Sequence, residues 1–128
     1  MEANPASGIK SCRDLLVWQK AMDLVVESYQ LAKKLPHDEL YGLVSQIRRA
    51  AVSVPANIAE GHGRRRLGDY LHHLSIASGS LTELETHLLI AVRLKYLQAD
   101  EMKRVWEKAT EVGRMLTGLS EKLSQLKP

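Results

Sequence analysis

Apolar residues recur along this chain at alternating intervals of three and four, the pattern of helices that each bury one stripe. The first stripe is Leu15, Trp18, Met22, Val25, Tyr29 and Ala32, and it ends before Pro36, a residue that does not continue a helix. The second is Leu43, Ile47, Ala51, Val54 and Ile58. It predicts a helix over about 39–60, with Asp38 as its N-cap. Pro55 lies inside that stripe, yet the period continues through Ile58. The spacing therefore predicts a bend at the proline rather than an end. Gly61 and Gly63 then stop the helix, Gly61 as a left-handed C-terminal cap.

A third stripe, Tyr70, Leu74, Ala77, Leu81, Leu84, Leu88 and Ala91, predicts a helix over about 67–97. A fourth runs from Met102 through Val105, Ala109, Val112, Leu116, Leu119 and Leu123 to Leu126, and Asp100 offers its N-cap. The connections near 36–38, 61–66 and 98–99 are short, so sequential helices lie antiparallel. No segment shows strand alternation. The prediction is an all-α, up-down-up-down antiparallel four-helix bundle over 12–128, with helix two bent at its internal proline. Residues 1–11 are small, polar and turn-rich, and are read as a disordered tail.

Two sets of residues are left over once a bundle core is assigned. Apolar residues lie off the main stripes in helix one (Leu16, Val17, Leu24, Val26) and in helix three (Leu71, Ile76, Leu89, Ile90). That is more apolar surface than one inner face requires, which predicts a homo-oligomer. Helix two also carries a polar stripe: Gln46, Arg49, Ser53, Asn57 and Glu60. Helix three carries the small run Ala77-Ser78-Gly79-Ser80, followed by Glu83. Short polar side chains and a mid-helix glycine cost helix propensity, about 1 kcal/mol for Gly79. A hydrogen-bonded seam or subunit contact formed by Gln46, Arg49, Ser53, Asn57, Glu60, Gly79, Ser80 and Glu83 would offset that cost; the alternative is a solvated face that tolerates small residues. An Arg49–Glu83 ion pair, within one protomer or between two, is expected there.

Composition narrows the class. The 128 residues are 45% hydrophobic and 26% charged, the balance of an ordinary globular domain. No stretch nears the ~18 apolar residues of a membrane span. The beginning of the chain lacks the apolar run of a secretory signal. The single cysteine, Cys12, excludes an internal disulfide and fits a cytoplasmic protein. Net charge is +3, and residues 1–60 hold seven acidic and seven basic residues. The run Arg64-Arg65-Arg66 equals the whole excess. Guanidiniums in a loop just before a helix suit phosphate contacts. Arg48 belongs with them only if it shares their surface.

Catalytic chemistry finds little support. His72 and His73 are adjacent and point apart on a helix. No glutamate is followed by a histidine three residues later, as di-iron bundles require. The Gly61-His62-Gly63 turn lacks the ending of a phosphate-binding loop. Histidines near the third helix start are read as solvated, and Trp18 and Trp106 as packing residues. No enzyme, metal or cofactor is predicted.

Several motifs together resemble a known family. They are Asp14-Leu15-Leu16-Val17-Trp18-Gln19-Lys20-Ala21, Leu35-Pro36-His37-Asp38-Glu39-Leu40-Tyr41-Gly42-Leu43, the run from Ser45-Gln46-Ile47-Arg48-Arg49-Ala50 to Asn57-Ile58-Ala59-Glu60-Gly61, and Ala77-Ser78-Gly79-Ser80-Leu81-Thr82-Glu83-Leu84. This chain resembles the bacterial four-helix-bundle family encoded in intervening sequences of 23S rRNA genes, a ribosomal-protein-like family. More distantly it is similar to the accessory variability proteins of retroelements, pentameric bundles that bind nucleic acid and a reverse transcriptase. The resemblance implies a closed homo-oligomer, with a pentamer favoured. It does not imply a known activity.

Two functions follow as expectations. In the first, an oligomeric helical-bundle module contacts RNA or a nucleoprotein through Arg64, Arg65, Arg66 and Arg48. In the alternative, the chain is a protein-interaction scaffold without nucleic acid.

Overall fold

The structure, a computed structural model, describes residues 12–126. The tail expected over 1–11 lies outside the described residues. Four helices follow one another: α1 (Leu16–Ala32), α2 (Leu43–His62), α3 (Leu67–Arg93) and α4 (Ala99–Ser124). Short 3-10 turns at Cys12–Asp14 and His37–Glu39 precede α1 and α2. Each helix packs on the next and α4 packs back on α1, with α2 and α3 the closest pair. The result is the antiparallel four-helix bundle that the apolar periods predict. At ~1.5 Å per residue α3 is about 40 Å long. No strand occurs among the described residues.

The core follows the predicted stripes in three helices. Ile47, Ala51, Val54 and Ile58 of α2 are buried, as are Leu74, Ala77, Leu81, Leu84, Leu88 and Ala91 of α3. Val105, Ala109, Val112 and Leu116 do the same in α4. Pro55 is buried within α2, which runs on to His62. Its pyrrolidine lacks only one N–H, and its apolar ring joins the inner face.

In α1 the expected stripe is wrong by a rotation. The buried residues are Val17, Ala21, Leu24, Ser28, Leu31 and Ala32, whereas Met22 and Tyr29 are exposed. Both stripes have helical spacing. The one with Ala21 and Ser28 allows α1 to approach its neighbours, while the bulkier one lies along the flank. Val17 and Leu24, assigned to the surface from the sequence, are core. Leu16 and Val26 do remain exposed.

Helix ends also depart from expectation. Asp38 does not cap α2; it sits in the 3-10 turn. The N-cap is Gly42, and the carboxylate of Glu39 accepts the Leu43 N–H at 3.0 Å instead. Tyr96 donates its hydroxyl to the same carboxylate at 2.9 Å. Asp100 does not cap α4 either. Gln98 and Glu101 form a reciprocal capping box, in which the Gln98 N–H donates to Glu101 at 2.8 Å. α3 stops at Arg93, short of Leu97, because Lys95 adopts φ 66°. Its N–H bonds to the Val92 carbonyl and the Tyr96 N–H to that of Ala91, a Schellman ending without glycine.

The register of α1 against α4 is marked by Lys20–Glu111 at 3.6 Å, Glu27–Arg104 at 3.0 Å and Lys34–Glu101 at 3.2 Å. These pairs are largely exposed and contribute little stability. No helix among the described residues is long and apolar enough to cross a membrane.

Candidate functional site

The polar residues of α2 and α3 meet along the line where those helices pack. Asn57 donates its side-chain amide to the Ser53 carbonyl at 2.9 Å and to the Ser53 hydroxyl at 3.0 Å. Ser80, buried on α3, donates to the same hydroxyl at 2.8 Å. That orientation of Asn57 leaves its carbonyl oxygen facing His73, whose Nδ1 lies 3.1 Å away and must carry the proton. The chain of bonds thus runs Ser80, Ser53, Asn57, His73. All four groups sit half-buried or deeper, where an unpaired polar group is costly.

One turn further along α2, Gly61 is buried inside the helix and is not its left-handed cap. α2 ends at Gly63, with φ −79°. A Cβ at Gly61 would lie 2.8 Å from the His73 Cβ, 3.0 Å from the Tyr70 Cδ1 and 3.1 Å from the Tyr70 carbonyl oxygen. The missing side chain is what allows α3 to come this close. By contrast Gly79, where a close approach was expected, has nothing within 4 Å of a Cβ position.

The remaining residues of the expected seam are not joined to this network. Gln46, Arg49, Glu60 and Glu83 are exposed. Ser53 facing Ser80 in an antiparallel pair brings Arg49 level with Glu83, but no ion pair joins them within the protomer. Glu83 instead lies 3.5 Å from His87 Nε2. Glu60 bonds Arg64, four residues on.

The α2–α3 loop carries Arg64, Arg65 and Arg66, all exposed. Arg64 is neutralised by Glu60. Arg65 and Arg66 stand at the tip without an ion pair, and Arg66 is the N-cap residue of α3. Arg48 lies elsewhere. It is about 24 Å along α2 from the loop, and its guanidinium stacks 5.1 Å from the centre of the Tyr29 ring. There it lines a shallow groove of about 700 Å³ with Tyr29, Leu40, Tyr41, Ser45, Arg49, Val52 and Ser53. The structure therefore separates two cationic places on the molecule, a loop tip and a groove.

Sequence reasoning missed His73 and the groove. His73 could have been found, because it stands seven residues before Ser80 and so shares its face. The stacking of Arg48 on Tyr29 joins two helices and has no local signal. Among the described residues no three His, Cys, Asp or Glu side chains converge to hold a metal ion. Glu85 is half-buried, and burial raises its pKa from the ordinary carboxylate value. It lies in a second groove between α3 and α4, with Ser78, Thr82, Gly113 and Arg114 along it.

Comparison with known proteins agrees with this fold. The model of a family described as 23S rRNA-intervening sequence protein matches residues 13–118. A crystal structure of a protein with unknown function, from the S23 ribosomal protein family of Bacteroides thetaiotaomicron VPI-5482, is similar in fold. Its TM-score is 0.76 at 24% identity, over 82% of this chain and 98% of that one. No curated protein matches the chain.

Proposed function

Because this chain belongs to the 23S rRNA-intervening sequence protein family, we propose that it works as an oligomeric helical binding module, pentameric by preference, that contacts RNA or a nucleoprotein through its α2–α3 loop. The observation that carries the reading is the exposure of Arg65 and Arg66 at the loop tip without an ion pair. In a ring of like-oriented subunits every copy of a loop lies at the same end. Repetition turns two weakly held cations per copy into a multivalent rim. Arg64, tied to Glu60, contributes less than its neighbours, and Arg48 contributes nothing to that rim.

The test is titration of a structured RNA at low and moderate salt against the parent and a variant with Arg64, Arg65 and Arg66 all changed to Ser. Phosphate contacts by arginines weaken steeply with salt. The variant should lose most of its affinity and flatten the salt dependence, with its helix content and particle mass unchanged. Equal binding by parent and variant, or none by the parent at low salt, defeats the reading.

A protein-interaction scaffold without nucleic acid is the second reading. It is favoured by the neutralisation of Arg64, which leaves only two unpaired cations per loop. Absence of RNA binding in an oligomeric parent would select it.

A further inference from the structure

The outer face of α2 carries cations and rings that the bundle itself does not use. We propose that the groove over this face binds a single nucleotide unit, with its phosphate held by Arg48 and Arg49 and its base laid on Tyr41. The site stands apart from the α2–α3 loop and does not rest on the reading given for that loop.

Ser45, Arg48, Arg49 and Val52 fall at helical spacing on one side of α2. That side is turned away from Val44, Ile47, Ala51 and Val54, which are buried. Tyr29 borders it from α1, and Leu40 and Tyr41 from the turn before α2. Tyr41 is 93% exposed and Val52 42% exposed. One exposed apolar side chain needs no explanation, but several in one groove mark a contact site. The groove, of about 700 Å³, has the size that takes a small organic ligand.

Its charge is of one sign. No carboxylate lines it. Glu39, in the neighbouring turn, is engaged with the Leu43 N–H and the Tyr96 hydroxyl. Among the described residues neither guanidinium is in an ion pair. On the other side of Arg48 a smaller cleft of about 120 Å³ brings in Lys33 and His37, again without a carboxylate. Like charges so placed repel, and nothing lining either cavity offsets that.

Arg48 itself is incompletely satisfied. Its guanidinium rests 5.1 Å from the centre of the Tyr29 ring. There its Nε is shielded from water and has no acceptor, which is costly. Turning off the ring toward the groove uncovers that N–H. An oxyanion in the groove then accepts from it and from a terminal N–H of the same fork. Two adjacent guanidiniums match a phosphate monoester, of charge about −1.5 to −2 near neutral pH, better than they match a singly charged carboxylate. Tyr41 offers a bare ring for a flat partner, and every nucleobase has such a face. A free nucleotide and the phosphorylated end of an RNA strand share this chemistry, and the test separates them.

Isothermal titration calorimetry on the full chain makes the test with AMP, adenosine, inorganic phosphate and a short oligoadenylate bearing a 5′-phosphate. AMP should bind roughly tenfold or more tightly than adenosine or phosphate, because both of its halves are held. Arg48→Lys keeps a charge but loses the fork, and should weaken AMP roughly tenfold. Tyr41→Ala should bring AMP down to the level of phosphate and leave phosphate itself unchanged, a split that misfolding would not produce. Circular dichroism shows that the variants are folded. If Arg48→Lys does not fold, Arg49→Gln, at an exposed position, replaces it with the same expected loss. AMP that binds no more tightly than its halves, or variants that bind it like the parent, would overturn the site. An oligoadenylate that binds more tightly than AMP, and is weakened by Arg48→Lys, assigns the site to a strand end. One that binds no more tightly assigns it to the free nucleotide. Changing Arg64, Arg65 and Arg66 to Ser should leave AMP binding as in the parent; a loss there would move the nucleotide to the loop and overturn this groove. A parent that binds structured RNA but not AMP defeats the groove alone, and one that binds AMP but not structured RNA defeats the loop reading alone.

Discussion

The two ends of α2 are held by different physics. At its C-terminal end Gly61 is buried against Tyr70 and His73, one turn beyond a network of side-chain hydrogen bonds. At its N-terminal end no side chain at the cap position helps, because that residue is Gly42. A carboxylate reaches in from the preceding turn instead, and a tyrosine from the end of α3 steadies it. The first end depends on shape and tolerates no added atom. The second depends on one ionised group near the surface, so it responds to pH. Packing makes the C-terminal end of α2 specific, while charge makes its N-terminal end adjustable.

The strongest way to break that contrast is to add one methyl group. Gly61→Ala places a Cβ against a side-chain Cβ and a backbone carbonyl, neither of which can swing aside. Overpacking of this kind costs roughly 1–3 kcal/mol and exceeds the ~1 kcal/mol that alanine gains in helix propensity. The expected net loss is up to about 2 kcal/mol. Denaturant unfolding at fixed protein concentration measures it. An unchanged or increased stability would mean that α2 and α3 separate there at little cost.

Next in size is the hydrogen-bonded line beside it. Asn57→Ala removes the donor to Ser53 and the acceptor for His73. A typical bond contributes about 0.5–1.5 kcal/mol, and stranding a half-buried partner adds to the loss. Alanine's better helix propensity returns roughly half a kcal/mol. A net loss of about 1 kcal/mol is expected. A double-mutant cycle with His73→Ala should give a coupling of about 0.5–1 kcal/mol. Strict additivity would show that the 3.1 Å contact contributes nothing in solution.

These two sites also show what the sequence made legible. Apolar spacing was enough for the bundle and for the inner faces of α2, α3 and α4, where the regular stripe of large residues is the buried one. It failed in α1, where Trp18, Met22, Val25 and Tyr29 form as regular a stripe as Val17, Ala21, Leu24 and Ser28. Period alone cannot tell which of two stripes faces inward; the approach distance of the neighbouring helices decides. The glycines carry the same lesson. Gly61 looks like a helix end and is an interior contact, while Gly79 meets no neighbour within its own protomer. Both readings depend on what stands opposite, which is tertiary information. The caps at Asp38 and Asp100 failed locally, because the longer side chains of Glu39, reaching forward to Leu43, and Glu101, reaching back to Gln98, take those N–H groups instead.

The smallest expected effect lies at the N-terminal end of α2 and is visible only through its pH dependence. The backbone N–H of Leu43 holds the Glu39 carboxyl below its ordinary pKa, with the hydroxyl of Tyr96 adding to it. Tyr96 is pushed up in turn, chiefly by that same bond. A carboxyl with a folded pKa below its unfolded value of about 4.3 stabilises the fold fully above that value. The contribution fades as pH falls through the folded pKa, where protonation removes the charge-assisted bonds. Glu39→Gln should therefore be less stable than the parent at pH 7, by a gap that narrows steadily below about pH 4. Tyr96→Phe should show a smaller gap closing over the same range. Glu101, lowered first by the Gln98 N–H and then by Lys34, titrates in that range too, but it does so in both proteins and cancels from the difference. The Gly61→Ala gap should not narrow along with the Glu39→Gln gap, because its contacts involve no carboxylate. Unfolding curves for the three variants at several pH values between 3 and 7 make the check. A Glu39→Gln gap that persists unchanged at low pH would mean that the carboxylate acts by shape, and the two ends of α2 would then be held alike.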